Sequence, residues 1–360
     1  MAVAPAGVEC VRERFGSLEV DGFLVTHPLN MRYLVGFTGD VGLLLIWEDG
    51  AELAVDPRYT EQARREVNGL ALREVRGEWQ EALAEMVGQQ GLQVVGIEAD
   101  HVSVSQHHRW VHALPEGVVL RPLSDVVEAF RAVKTSEEIA VIERAVRLTD
   151  ETLMALRGWL RPGVSERDAA WFVESYVRTH GGEAMAFDPI VAAGTNGAMA
   201  HARPTDRAIS AEEPIVVDIG ARVDGYCADL TRTLWMGPPS DRFQSLYNLV
   251  LEAQLAAENG MKAGMAAKDA DALARSVIQA SGYGDQFGHG LGHGVGLAVH
   301  EAPRVSQRSD AVLEKGNVCT VEPGVYLPDW GGIRIEDVVV IEAGRARVLT
   351  RASKEPWLAI

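Results

Sequence analysis

Residues 288–301 read GHGLGHGVGLAVHE: three histidines and five glycines in fourteen positions, with a glutamate directly after the last histidine. Histidine can act as a general acid or base, or as a neutral metal ligand. What His289, His293 and His300 can do depends on the backbone that carries them. Glycine at 288, 290, 292, 294 and 296 argues against a helix, so His289 and His293 are not an i, i+4 pair on a helix face. The stretch reads as a Gly-rich strand or loop where a second backbone or a ligand comes close. A phosphate cradle fits poorly, because no Lys-Ser or Lys-Thr follows and no clear helix begins.

Carboxylates supply a second anomaly. PIVVDIGARVDGYCADLTRTLWM, residues 214–236, reads as two strands joined by a turn ending in Asp224-Gly225, a strong hairpin signal. With Arg222–Gly225 as a four-residue loop, Ala221 pairs with Tyr226 and Asp218 falls directly opposite Asp229 on one face. Opposed side chains have Cβ atoms about 4.5–5.5 Å apart, and like charges there destabilise the sheet. Solvation is a poor escape, since IVVDIG is apolar on both sides of Asp218, as in a buried strand. A divalent cation or a shared proton would relieve the repulsion. Glu322 in NVCTVEPGVYL and Glu336 in GGIRIEDVVVIEA also stand in apolar, strand-like settings. The period of two puts Arg334 on the face of Glu336 and turns Ile333 and Ile335 away. Either glutamate alone reads equally well as a solvated edge residue; beside two aspartates that reading weakens. Four carboxylates joined by one imidazole suit manganese, cobalt, iron or zinc better than calcium.

The elements that must position these residues fall into two parts. Up to about residue 130, GFLVTH, GLLLIW, AELAVD and LQVVGIEAD read as strands, EDG turns a hairpin, and PRYTEQARREV opens a helix at Pro57. Beyond it lies a long amphipathic helix with Thr135 and Glu138 spaced as a capping box and Arg161-Pro162-Gly163 closing it. SERDAAWFVESYVRTHGG and DRFQSLYNLVLEAQLAAENG add two more helices, and β-rich runs hold nearly all the unusual polar residues. The expected domains are therefore 1–130 and 131–360. A formal charge of −17 repels phosphate backbones, which argues against nucleic acid as a partner. The N-terminus lacks the order of a signal peptide and no apolar run approaches a membrane span, so no membrane partner and a cytoplasmic location are expected. Cys10, Cys227 and Cys319 are odd in number and widely spaced, as reduced, mostly buried thiols would be. His101, His107, His108 and His112 have no carboxylate pattern around them and read as surface residues.

Asp218, Asp229, His293, Glu322 and Glu336, in this order and within VVDIGARVDGYCADLTRT, GHGLGHGVGLAVHEAP, TVEPGVYL and GGIRIEDVVVI, resemble the ligand set of the pita-bread dinuclear metallopeptidases. The contexts resemble the Xaa-Pro peptidase branch of prolidases and aminopeptidases P, and NMRYLVGFTGD resembles a motif of the creatinase-like N-terminal domain. The resemblance implies an α/β (α+β) chain, a creatinase-like α/β domain followed by a pita-bread catalytic domain. It implies two divalent ions per chain, manganese foremost with cobalt or zinc as alternatives. Asp218 would chelate one ion, Asp229 and Glu336 would bridge both, and His293 with Glu322 would complete the second site. Glu322 is also the implied general base toward a water activated by the pair, with His201 and His300 contacting the substrate carbonyl. His289 resembles a pocket histidine, Arg334 an arginine bracing the metal carboxylates, and Phe187, Ile190 and Val299 the apolar wall around the proline ring.

The implied reaction is hydrolysis of the bond between an N-terminal residue and proline, with an Xaa-Pro dipeptidase as the main reading and an aminopeptidase acting on longer peptides as the alternative. A dipeptidase benefits from a cation for the free proline carboxylate, and Arg203 and Arg32 are the candidates. Methionine aminopeptidase shares the five ligands, but the N-terminal domain and the HEAP and VEPGVY contexts favour the proline-directed branch. A non-catalytic peptide-binding relative is disfavoured because no ligand position is lost. The partner is thus a proline-containing di- or oligopeptide, and the family expectation is a homodimer.

Overall fold

In the strand Gly22–Val25, Phe23 and Val25 pack with Val8, Met31 and Leu34, whereas Leu24 packs with Leu83, Met86 and Val87. Leu43–Trp47 divides in the same way: Leu44 and Ile46 join the first cluster, Leu43 and Leu45 the second. A sheet covered by helices on both faces explains why its strands read as continuous apolar runs. It has six strands, in the order Ala71–Glu74, Gly50–Val55, Leu43–Trp47, Gly22–Val25, Val94–Glu98 and Val119–Leu123. This computed structural model describes residues 6–358 apart from Pro239, so the first five residues of the N-terminal stretch considered above lie outside it. Contacts divide the chain into Met1–Phe130 and Arg131–Ile360.

The second unit opens with the helix Ser136–Trp159, and its capping box forms: Thr135 Oγ1 accepts the Glu138 N–H (3.2 Å) while the Glu138 carboxylate accepts that of Thr135 (2.8 Å). Helix Glu166–Thr179 packs beside it, and Asp241–Gly260 pairs with a fourth helix, Ala267–Ala280. That fourth helix escapes the sequence reading because Asp271 and Arg275 break its apolar stripe; both are buried and pair with each other at 2.6 Å.

Two hairpins carry the carboxylates, and each ladder breaks in its middle. In the first, Pro214–Ile219 pairs with Leu230–Met236, and Ala221–Val223 pairs further out with Tyr226–Cys227. The turn is Asp224-Gly225 alone, both residues at positive φ (45° and 81°) as a type I′ turn requires, and not the expected four-residue loop. Thr231, not Asp229, therefore stands opposite Asp218. The partner moves by two positions, and with a side-chain period of two an even shift leaves Asp229 on the predicted face. In the second hairpin Val318–Val321 pairs with Asp337–Ile341 and Gly324–Leu327 with Gly331–Arg334. The common register across the gap sets Glu322 opposite Glu336.

Alternation then separates packing from chemistry. Val217 and Ile219 pack with Leu153, Leu156 and Val173 of the first helix pair, and Ile333 and Ile335 with Phe243, Leu246 and Val250 of the second pair. Asp218, Arg334 and Glu336 point to the other face. Each fully buried aliphatic or aromatic side chain contributes about 1.5–3 kcal/mol, so the helix-covered backs of the sheets hold the carboxylates together.

A largely buried polar chain closes this unit. Arg232 Nη2 lies 2.7 Å from Asp337 Oδ1, Lys354 Nζ 2.7 Å from Asp337 Oδ2, and Lys354 Nζ 3.0 Å from Glu258 Oε2. Burial, and then the charge of Asp337, push the Glu258 carboxyl up to about 8. The folded chain thus keeps a proton on Glu258 that the unfolded chain, with a value near 4.5, gives up. Stability falls as pH rises between those values and levels off above about 8. Glu258→Gln removes this dependence, so urea unfolding at pH 5, 7 and 9 should show the variant gaining on wild type up to about pH 8 and no further. A constant difference across that range would refute the buried proton.

Candidate metal centre and substrate cavity

The gaps in the two hairpins bring the predicted ligands together. One ligand atom each from Asp229, His293 and Glu336 lies within 4.8 Å of the others. His293 Nε2 is 3.3 Å from Glu322 Oε1 and 3.6 Å from Asp229 Oδ2. Its other nitrogen, Nδ1, sits 3.1 Å from the Gly294 carbonyl oxygen and donates to it, which leaves Nε2 turned toward the carboxylates, a donor to Glu322 while protonated and a ligand once deprotonated. Thr320 Oγ1 ties the same group down, accepting the His293 N–H (3.0 Å) and donating to Glu322 Oε1 (3.1 Å).

Glycine makes this approach possible. A Cβ on Gly294 would lie 2.0 Å from the Ala302 carbonyl oxygen, and one on Gly292 would lie 2.2 Å from that of Thr320. Gly292–Gly294 is a strand between Glu301–Val305 and Val318–Val321, as the glycine pattern predicts.

Electrostatics mark the centre as short of positive charge. Burial, followed by the charges of Glu336, Asp218 and Glu322, pushes the Asp229 carboxyl well above the carboxylate range. Burial and the charges of Glu322 and Asp218 do the same to Glu336, whose Oε2 accepts a hydrogen bond from Thr231 Oγ1 at 2.6 Å. Asp218 is raised mainly by burial, partly offset by Arg334, whose Nη2 lies 2.7 Å from Oδ2; Oδ1 is buried with no hydrogen-bond partner. Burial pushes Glu322 up too, but the hydrogen bond and charge of His293 outweigh it and hold the carboxyl at about 2. Clustered buried carboxyls, an orphaned carboxylate oxygen and an imidazole whose Nε2 is turned inward together fit divalent cations.

A cavity of about 1450 Å³ opens over this cluster, and Phe187, Ile190, His201, Arg203, His289 and His300 line it. The His300 ring stacks edge-on against His293, centroids 4.3 Å apart, and burial, then the charge of His293, lowers its basicity. Both His289 nitrogens are engaged. Nδ1 lies 2.8 Å from the Gly290 carbonyl oxygen and donates to it, so Nε2 accepts from the Tyr326 hydroxyl at 3.0 Å. Tyr326 in turn accepts from Arg334 Nη1 at 2.7 Å, a chain that runs on to Asp218.

One predicted residue of this unit does not join the group. Val299 is not among the lining residues and packs against the cluster of Ile142, Val146 and Val295. Arg32 belongs to the N-terminal unit, half-buried in the last turn of the helix Pro28–Val35, where its carbonyl accepts the Gly36 N–H. Other residues were missed. Tyr326 stands in the quoted VEPGVYL, where the period of two from Gly324 would have placed it beside Glu322. Arg304, directly opposite His293 on the neighbouring strand, lines the cavity and makes no ion pair among the described residues. Glu301, the acid after His300, is paired at 2.7 Å with both Arg131 and Lys134, all three buried.

Residues 140–343 match the model of metallopeptidase family M24, and residues 8–133 match the creatinase/prolidase N-terminal domain. The chain belongs to metallopeptidase family M24. An M24 relative, the Xaa-Pro dipeptidase of Pyrococcus furiosus, is 36% identical over 93% of this chain and 95% of its own length. Among solved structures, an Xaa-Pro dipeptidase from Bacillus anthracis superposes with a TM-score of 0.95 at 38% identity, covering 98% of this chain and 99% of that one. An X-Pro aminopeptidase from Thermotoga maritima gives 0.89 at 35% identity, covering 97% and 99%. The pita-bread fold behind a creatinase-type domain follows, as the motifs implied.

M24 membership and the charge balance set an expectation for stability. Asp229→Asn and Glu336→Gln each remove a carboxyl that folding must either protonate or bury beside like charges, so near neutral pH the metal-free variants should melt a few degrees above metal-free wild type, at about 2–4 °C per kcal/mol relieved. Manganese or cobalt should raise the melting temperature of wild type and leave the variants nearly unmoved. Variants that melt lower without metal yet gain as much from it would contradict the repulsion at the centre.

Proposed function

We infer that this chain is a metal-dependent exopeptidase that hydrolyses the bond between an N-terminal residue and proline, with Xaa-Pro dipeptides as its main substrates. The single observation that carries this reading is a carboxylate–imidazole centre at the floor of a cavity walled by Phe187, Ile190 and histidines, in a chain 35–38% identical to Xaa-Pro dipeptidases over nearly its whole length.

Asp218, Asp229, His293, Glu322 and Glu336 would hold two divalent ions, manganese foremost with cobalt or zinc as alternatives. Bound there, the ions supply Lewis acidity toward the scissile carbonyl and a nucleophilic water near neutral pH. Glu322 takes the proton of that water at Oε2, the oxygen that Thr320 does not engage. His201 and His300 donate to the oxygen that becomes negative as the carbonyl carbon turns tetrahedral. Arg334 fixes Asp218 and, through Tyr326, the ring of His289, whose nitrogens are spoken for; His289 therefore offers the proline ring an apolar surface beside Phe187 and Ile190. Three free cysteines, two of them buried with thiols pushed up to about 12, suit a reducing cytoplasm, where we place the protein as a homodimer.

A second reading has its own support. The cavity continues past the centre to Gln279, Asp285, Phe287, Gln307 and Arg308, which leaves room for residues beyond proline, as an X-Pro aminopeptidase needs. In a dipeptide the proline carboxylate is free, and Arg304 and Arg203, both on the cavity lining, are the candidate cations for it.

Turnover of Xaa-Pro against Xaa-Pro-Yaa peptides separates the two readings. Arg304→Ala should raise KM for dipeptides about tenfold while sparing tripeptides, because only a dipeptide offers a carboxylate at that point. Wild-type enzyme that cleaves tripeptides well and dipeptides poorly would make the protein an aminopeptidase. His201→Ala and His300→Ala should lower kcat by roughly 10²–10³ with metal content retained, whereas His293→Ala should lose metal. Equal metal loss in all three variants would sink the division between ligand and substrate histidines.

A further inference from the structure

The loop that carries His201 is stapled at both ends to a single carboxylate. Glu166, in the first turn of the helix Glu166–Thr179, is fully buried. Its Oε1 accepts the Ala193 N–H (2.8 Å) and Asn196 Nδ2 (3.0 Å). Its Oε2 accepts Asn196 Nδ2 (3.0 Å), the Thr205 N–H (3.0 Å) and Thr205 Oγ1 (2.6 Å). Every donor belongs to residues 193–205. Ala193 ends the strand Ile190–Ala193, and Thr205 follows His201, Ala202 and Arg203, all three of which line the cavity.

Arg207, a cation whose charge Glu166 feels, is engaged elsewhere, in a two-point pair with Glu213 at 2.8 and 2.5 Å. Glu166 is thus a buried anion satisfied by donors of the loop and placed at a helix N-terminus. The middle of the loop is held from the metal side, where Arg334 Nη1 donates to the Ala200 carbonyl oxygen at 3.2 Å. His201 itself is exposed to the cavity and makes no hydrogen bond among the described residues, so the backbone alone sets where its ring stands.

We propose that Glu166 is a positioning residue that fixes His201 over the metal centre. The inference rests on the role assigned to His201 under the proposed function. Glu166→Gln turns one acceptor oxygen into an NH₂ group facing N–H donors, which frees one end of the loop at unchanged side-chain volume. A displacement near 1 Å at a reacting group can cost about 10²-fold, so kcat should fall about 10- to 100-fold with KM within about threefold.

Two readouts distinguish positioning from general damage. In the double variant Glu166→Gln/His201→Ala, turnover should lie within about twofold of His201→Ala alone. In zinc-loaded protein with ¹⁵N-labelled histidine, the ring signals of His201, assigned by their loss in His201→Ala, should shift in Glu166→Gln while those of His107 and His108 stay. Thr205→Val removes one donor and should give the same pattern at smaller size, which keeps the test open if Glu166→Gln does not fold. A full additional loss of turnover in the His201→Ala background, or unmoved His201 signals, overturns the proposal. Absence of Xaa-Pro turnover in wild type strikes the proposed function instead, and the spectra then still decide whether Glu166 holds His201.

Discussion

Four carboxylates that repel one another are kept within reach by packing on the opposite side of the sheets that carry them. Asp218 and Asp229 belong to one hairpin, Glu322 and Glu336 to the other, and Asp229, Glu322 and Glu336 sit where ladder pairing lapses. Burial and mutual repulsion push the Asp229 and Glu336 carboxyls well above the carboxylate range, so the centre costs folding free energy whether it takes up protons or keeps its charges. The clusters behind it, with more than a dozen fully buried aliphatic and aromatic side chains, outweigh that at about 1.5–3 kcal/mol each. Arg334 offsets part of the repulsion, and Thr231 and Thr320 fix the oxygens without adding charge.

The residues assigned to substrate under the proposed function are held differently from those assigned to metal. The carboxylates ride on or beside paired strands, whereas His201 and His300 stand on irregular backbone, which strand pairing cannot orient. A buried acid tethers each. Glu166 gathers the ends of the His201 loop, and Glu301, gripped by Arg131 and Lys134, fixes the chain directly after His300. The backbone around His289 has its own clamp, with Arg275 donating to the Phe287 and His289 carbonyl oxygens and Asp271 accepting the Leu291 N–H. Oxyanion donors act by being in place before charge develops, and such tethers supply that rigidity.

Much of this was legible in the residues. The apolar setting of Asp218, the period that groups Arg334 with Glu336 and the glycine spacing that denies a helix at 288–296 all report side-chain period and steric room, which are local properties. What escaped depends on contacts between distant segments. Turn length at Asp224-Gly225 sets the register, and a hairpin signal alone did not separate two residues from four. The helix Ala267–Ala280 hid because Asp271 and Arg275 are polar in composition but neutralise each other when buried. Glu166 and Tyr326 look like ordinary surface and strand residues until partners 30 and 37 positions away are in place.

The two-residue turn also constrains how the chain can lengthen. Because Asp224-Gly225 closes a ladder whose opposite faces carry a core and a reaction centre, an insertion at that tip that moves the pairing by one residue would send Asp229 into the hydrophobic layer and an apolar neighbour into the cavity. An insertion that grows as a symmetric pair, one residue on each arm, leaves every side chain facing as before. Natural or engineered extensions at this tip are thus tolerated where they lengthen the loop between Val223 and Tyr226 and leave that pairing in place.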